Sequence, residues 1–137
     1  MFKDFPAKYT DAAKLVLRIA VAAAFLYHGT MKWGMLSMPA APEGMSAAMF
    51  TIFKILAIAE PLAGIALLLG FLTRIANIGL IIIMLGAIFV MKGGFSAGFS
   101  EGFGKWELDF LLLSMNVALF LMGPGKWSLD KKMMSKK

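Results

Sequence analysis

The chain contains no cysteine among its 137 residues. That removes thiolate catalysis, disulfide exchange, iron–sulfur ligation and covalent c-type haem attachment from its own chemistry. His28 is its single histidine, so two-histidine haem ligation within one chain is excluded too. No haem, iron–sulfur cluster or metal is expected, and any redox role must borrow its electron carrier. Charge is scarce as well: 16% of residues are Asp, Glu, Lys or Arg, against about 25% in ordinary soluble domains. The connections between apolar runs are too short to hold a soluble domain, so residues 1–137 read as a single membrane domain.

What fills the chain instead is apolar. Hydrophobic residues make up 60% of it, with a mean hydropathy of +0.79, more than a domain of this size can hide from water. Four runs are candidate membrane spans, at about 12–30, 48–72, 75–91 and 106–122. The last two lie near the lower limit of about 17 residues for crossing hydrocarbon. Lys3, Lys8, Lys14 and Arg18 ahead of the first run resemble the start of a signal peptide, but that run is read as a retained span. The expected fold is all-α, an integral membrane four-helix bundle.

The net charge of +6 would suggest nucleic acid in a soluble protein. Here the basic residues read as topology signals, and no nucleic-acid partner is expected. Lys3, Lys8, Lys14, Arg18, Arg74 and the five lysines of "KWSLDKKMMSKK" fall on one side, and Lys32, Lys54, Lys92 and Lys105 on the other. Both termini are therefore expected in the cytoplasm. "GFLTRI" leaves room only for a tight turn between spans two and three. "KGGFSAGFSEGFGKW" places Phe95, Phe99 and Phe103 four apart among glycines, and fits either a flexible outer loop or a re-entrant lid over 93–104. Ala63, Gly70, Gly79, Gly86, Ser114 and Ala118 read as small residues that let membrane helices approach closely.

The informative residues are polar ones within the spans. "LAIAEPLAGIALLLGFLTR", Leu56 to Arg74, holds Glu60 with Pro61 directly behind it. A charge at that depth costs about 2.5–3.5 kcal/mol on insertion scales, so Glu60 needs a partner or must be neutral. At a rise of about 1.5 Å per residue, Glu60 lies roughly 21 Å from the inner end marked by Arg74, and His28 roughly 25 Å from Asp11. Glu107 and Asp109 come out roughly 24 and 21 Å from Gly123, with Lys32 and Lys54 just above the band at about 30 Å. His28 and Lys32, four apart, share a helix face, and Arg18, Phe25 and Gly29 continue that stripe. Glu107, Ser114 and Ala118 share a face of span four.

Gly64 leaves room beside Glu60. Pro61 has no N–H to offer the Ala57 carbonyl, and a kink there would widen a cavity next to the carboxylate. Arg18 is expected to snorkel toward the cytoplasmic interface, with Asn116 as its buried partner. Two readings stand side by side. Glu60 pairs with His28, Lys32 or Lys54 to lock the helices, or these groups line a cavity that binds a ligand head group or relays protons.

Three stretches in order, "LRIAVAAAFLYHGTMKW", "AEPLAGIALLLGFLTRIA" and "WELDFLLLSMNVALFLMGPGKWSLD", resemble the DoxX family of small bacterial and archaeal membrane proteins. The residues that carry the likeness are Arg18, Gly29 and Lys32; Glu60 with Pro61, Gly64, Gly70, Thr73 and Arg74; then Glu107 and Gly123 through Asp130. The resemblance implies a multi-pass protein of the cell (inner) membrane in a redox-associated group, some of whose members look like subunits of thiosulfate:quinone oxidoreductase. Thiol chemistry, suggested by cysteine-bearing relatives, has no counterpart here.

The function this implies is a membrane subunit that binds a quinone or similar lipid-soluble molecule and supports electron transfer by a partner. Glu60, His28, Lys32, Lys54, Glu107 and Asp109 are the head-group candidates. The expected partners are the lipid bilayer and either a membrane redox complex or further copies of this chain. The alternatives are a non-catalytic anchor or assembly subunit, and a small transporter. Whether this chain is itself an enzyme is left open. The topology is directly testable, since the background has no thiol. Single cysteines at positions 42 and 96 should label from outside and one at 74 only from the cytoplasm; labelling of position 96 from the cytoplasm alone reverses the arrangement.

Overall fold

The computed structural model describes the backbone of residues 7–92 and 98–135, and the side chains of 9–92 and 106–135. Among the described residues there is no strand. Four long helices follow one another: α1 (Ala7–Met31), α2 (Ala47–Leu69), α3 (Thr73–Gly86) and α4 (Gly98–Met122). A 3₁₀ turn, Trp33–Leu36, follows α1, and a π-helical turn, Ala87–Met91, extends α3. A short α5 (Leu129–Met134) closes the order. The expected fourth span at 106–122 lies within a longer helix that begins at Gly98, so much of the glycine–phenylalanine segment is helical rather than loop.

The residues 9–31, 47–69 and 73–91 form three helical stretches long and apolar enough to cross a membrane. No more than 28% of their most apolar windows is buried within the chain. Ile55, Ile58, Leu62, Ile75, Ile82, Val90 and Leu121 point outward while Arg18, Glu60, Asn77 and Asn116 are buried. An apolar exterior around a core that buries several polar groups suits a hydrocarbon solvent, in which those outward faces are inexpensive. Val21, Phe25, Leu67, Leu80, Met84, Leu112 and Leu119 fill the centre. The largest helix contact is α1 with α2, then α3 with α4; α2 also meets α3, and α4 returns to α1.

Glycine sets the first seam. A Cβ on Gly29 would lie 2.3 Å from Cδ of Pro61, and one on Gly64 would lie 3.1 Å from the Ala22 carbonyl oxygen. α2 runs unbroken through Pro61. The buried proline ring occupies the notch that Gly29 leaves. The Ala57 carbonyl it deprives of a helical donor accepts a 2.9 Å hydrogen bond from the Trp33 indole. Among the described residues, a Cβ on Gly79 or Gly86 would meet nothing within 4 Å, so neither glycine makes a close helix contact there.

Arg18 corrects the expectation that it snorkels. It is fully buried, and its guanidinium donates to the carbonyls of Leu67, Leu68, Pro124 and Trp127 at 2.8–3.0 Å. Two of these are carbonyls of the last turn of α2, where helical donors run out; the Leu67 oxygen accepts from the Gly70 N–H as well, at 3.1 Å, and a cation there suits the helix dipole. Asn116 is not its partner; its Nδ2 donates to Leu112. Gly70 ends α2 in the left-handed conformation, φ +66°, and a Cβ there would meet Ser128 Cβ at 2.5 Å and Arg18 Nη2 at 2.6 Å. The turn "GFLTR" and the segment from Gly123 to Asp130 thus close on Arg18 from two sides. Gly123 and Gly125 supply positive φ angles in that segment.

Asp130 completes the clasp. Its carboxylate accepts from the N–H groups of Leu72 and Thr73 at 2.8 and 2.9 Å, capping α3 from a distant part of the chain. Leu72 sits at φ +48°, a strained conformation for leucine, and these bonds hold it there. Burial alone would raise the Asp130 carboxyl, but hydrogen bonds from Thr73 and Leu72 and the Arg18 charge outweigh it and hold the group below its ordinary value. A carboxyl depressed on folding contributes stability that is present above the unfolded value of about 3.9 and is lost as pH falls through the folded value. Wild-type melting temperature in detergent should hold steady above about pH 5 and fall below about pH 4. Asp130→Asn should start lower and lose less over that acid range, and an equal acid loss in both proteins would show that another group carries it.

Candidate functional site

Four helices bring ionisable groups to one cavity. α1 contributes His28 and, just past its end, Lys32; α2 contributes Glu60; the end of the π-helical turn contributes Lys92; α4 contributes Asp109. The cavity holds about 480 Å³, within the usual range of small-molecule pockets. Phe25, Leu56, Ile83, Met84 and Leu112 are among its apolar walls. Gly86 lines it from the end of α3, and Ala87, Val90 and Met91 from the π-helical turn, a distortion of helix geometry that recurs at functional sites.

Two ion pairs cross it. Lys32 Nζ lies 2.6 Å from Glu60 Oε2, with the carboxylate almost wholly buried, and it donates a second bond of 2.9 Å to the His28 carbonyl. Lys92 Nζ pairs with Asp109 Oδ2. The charges balance within the cavity, and that balance makes burial in low dielectric tolerable. Neither pair is saturated. An ammonium carries three donors, of which Lys32 uses two, and each carboxylate keeps free lone pairs. The His28 ring nitrogens make no hydrogen bond among the described residues. A ligand carbonyl or hydroxyl can therefore join this polar end without breaking either pair.

The structure gathers some of the sequence candidates and not others. His28, Lys32, Glu60 and Asp109 line the cavity. Lys54 does not; its Nζ donates to the Met38 carbonyl at 2.9 Å and lies 4.4 Å from the centre of the Phe50 ring. Glu107 is exposed on α4 and outside the cavity wall. Ser114 is exposed as well, so the face it shares with Glu107 points outward. Lys92 joins the site without having been singled out, and its position opposite Asp109 at the α3–α4 end was the available signal. The lid reading of 93–104 concerns side chains outside the described residues. Among the described residues, no three His, Cys, Asp or Glu side chains gather to hold a metal ion.

The motif residues fall at two levels. Gly29, Pro61 and Gly64 form the seam beside the cavity. Arg18, Gly123 and Asp130 form the clasp at the other end, where Arg74 stays exposed. Residues 13–93 match the family model described as DoxX. An uncharacterised membrane protein of Mycobacterium tuberculosis (strain ATCC 25618 / H37Rv), Rv3486, is 33% identical over 134 residues, which take in 87% of this chain and 80% of that protein. No solved structure matches the chain.

Breaking one member of a buried pair strands the other, at about 3–5 kcal/mol, whereas replacing both by apolar residues is often neutral. Lys32→Met and Glu60→Leu should each lower the melting temperature sharply, and the double variant should melt above either single one. Additive losses would show that the two side chains are not energetically coupled.

Proposed function

This chain belongs to the DoxX family, and on that premise we propose that it is a membrane subunit that binds a quinone or similar lipid-soluble molecule in the cavity between its helices and supports electron transfer by a partner oxidoreductase. The observation that carries this reading is the cavity itself: about 480 Å³ with apolar walls and, at one end, His28, Lys32, Glu60, Lys92 and Asp109. We read the protein as a four-helix membrane bundle in a bacterial or archaeal cell (inner) membrane, with both termini cytoplasmic. The surplus of exposed cations at the Arg74 end supports that orientation.

The residues present suit such a group. Apolar walls accept a ring and tail, and two ammonium groups and an imidazole offer donors to ring oxygens. When bound, a quinone supplies reversible uptake of two electrons and two protons. The chain's own part is to bind and to orient. Lys32 and Lys92 hold the oxygens through N–H groups left over from their ion pairs. Glu60 and Asp109 fix those ammonium groups in place. His28 offers a ring nitrogen that can donate to or accept from a ligand oxygen. Electrons come from a partner, because the chain has no thiol.

An anchor or assembly role is the second reading. It is favoured by one observation: the Lys32–Glu60 pair is already closed within the chain. Titration of the purified protein with a short-tailed benzoquinone separates the two. The wild type should bind saturably; Lys92→Met should weaken binding about tenfold, or about 1.4 kcal/mol; and Ala87→Trp, which fills the cavity, should abolish it. Failure of the wild type to saturate leaves the anchor reading standing.

A further inference from the structure

The Arg74 end of the molecule carries a second cavity that neither the ion pairs nor the seam explains. It holds about 430 Å³ between the α2–α3 turn and α5. Its apolar lining comes from Phe71, Leu72, Ile75, Pro124, Met133 and Met134. Ile75, Met133 and Met134 stand 59–69% exposed, far more than side chains that only pack a turn.

Charge at this groove is one-sided. Arg74 lines it, is exposed, and makes no ion pair or hydrogen bond among the described residues. Lys131 and Lys132 on α5 are exposed and likewise unpaired there. The carboxylate in the lining, Asp130, is held by the Leu72 and Thr73 N–H groups and faces the Arg18 charge. It does not neutralise Arg74. The groove therefore combines an apolar trough with an uncompensated cation, Arg74, in its wall, and Lys131 and Lys132 add exposed positive charge on α5 at the same end of the molecule.

We infer that this groove binds an anionic phospholipid of the adjoining leaflet, with an acyl chain along Ile75, Phe71 and Met133 and the phosphate at Arg74, while Lys131 and Lys132 add to the positive potential of that end. Charge complementarity selects an anion. The apolar trough beside it selects one that carries a hydrocarbon chain, and its place at the ends of membrane-spanning helices puts it at headgroup level. The groove lies at the opposite end of the helices from the Glu60 cavity, so the site is independent of the reading of that cavity. Its role is to fix the depth and orientation of this end through α5.

The test is native mass spectrometry of the purified full chain presented with equal amounts of phosphatidylglycerol and phosphatidylcholine. The wild type should retain phosphatidylglycerol at least fivefold over phosphatidylcholine, with roughly one tightly held copy. Arg74→Gln should bring the two lipids level, and Lys131→Gln/Lys132→Gln should lower the preference in part. Melting temperatures are measured in parallel, and an unchanged value for Arg74→Gln assigns the loss to the contact rather than to folding. Equal retention of both lipids by the wild type, or full preference in Arg74→Gln, overturns the proposal. Displacement of phosphatidylglycerol by inorganic phosphate alone overturns the lipid assignment, because the acyl chain would then contribute nothing.

Discussion

The contact of Gly29 with Pro61 is the constraint on which the candidate site depends. With no Cβ on α1 and a proline ring on α2, the two helices approach until hydrogen replaces methyl at the contact. That approach fixes the register of the largest interface in the molecule. One residue before Pro61, Glu60 then faces α1 at the height where Lys32 turns back over the end of the helix. The carbonyl that proline releases is taken by Trp33, so the cost of placing proline within α2 is met by a side chain that also ties down the outer turn. Glutamate, proline, glycine, lysine and tryptophan thus form one arrangement, in which each residue explains the need for another.

A second polar centre holds the opposite end, built on a different principle. Arg18 satisfies backbone carbonyls from α2 and from the segment after α4, and Asp130 satisfies backbone N–H groups that begin α3. Helix ends packed under other parts of the chain have no water to satisfy them, so a buried guanidinium and a capping carboxylate take its place. The clasp is electrostatically close to neutral and leaves little unsatisfied. The Glu60 cavity differs: it keeps spare donors and acceptors around an open volume. That contrast is why the cavity, and not the more heavily bonded clasp, is the candidate site.

Much of this was legible in the sequence wherever the cost of burial dictates it. A carboxylate deep in an apolar run demands a cation, and the four-residue spacing of His28 and Lys32 pointed to the right face of α1. The shared depth of Glu60, His28 and Asp109 followed from helix rise alone. What was not legible depends on partners without residue identity. The acceptors of Arg18 are main-chain carbonyls, which no side-chain pattern announces, so snorkelling and an Asn116 partner looked reasonable. Glu107 and Asp109 sit two apart, about 200° around a helix, so only one of these two candidates can face inward, and spacing alone did not say which. The contact of Pro61 with Gly29 was not legible either, because it depends on the absence of a side chain on another helix. Gly79 and Gly86 carry the composition of a packing stripe but make no close helix contact among the described residues.

The central claim is that the volume bounded by His28, Lys32, Glu60, Lys92 and Asp109 is where a lipid-soluble ring binds, rather than a gap in an anchor. The most direct measurement is photo-crosslinking of the membrane-embedded protein with a photoreactive benzoquinone analogue, followed by mapping of the modified residues by mass spectrometry. The account predicts adducts concentrated on cavity-lining residues such as Met84 and Met91, and suppressed by excess unlabelled quinone. Adducts spread over lipid-facing residues such as Ile58, Leu62 and Leu121, and insensitive to competitor, would contradict it.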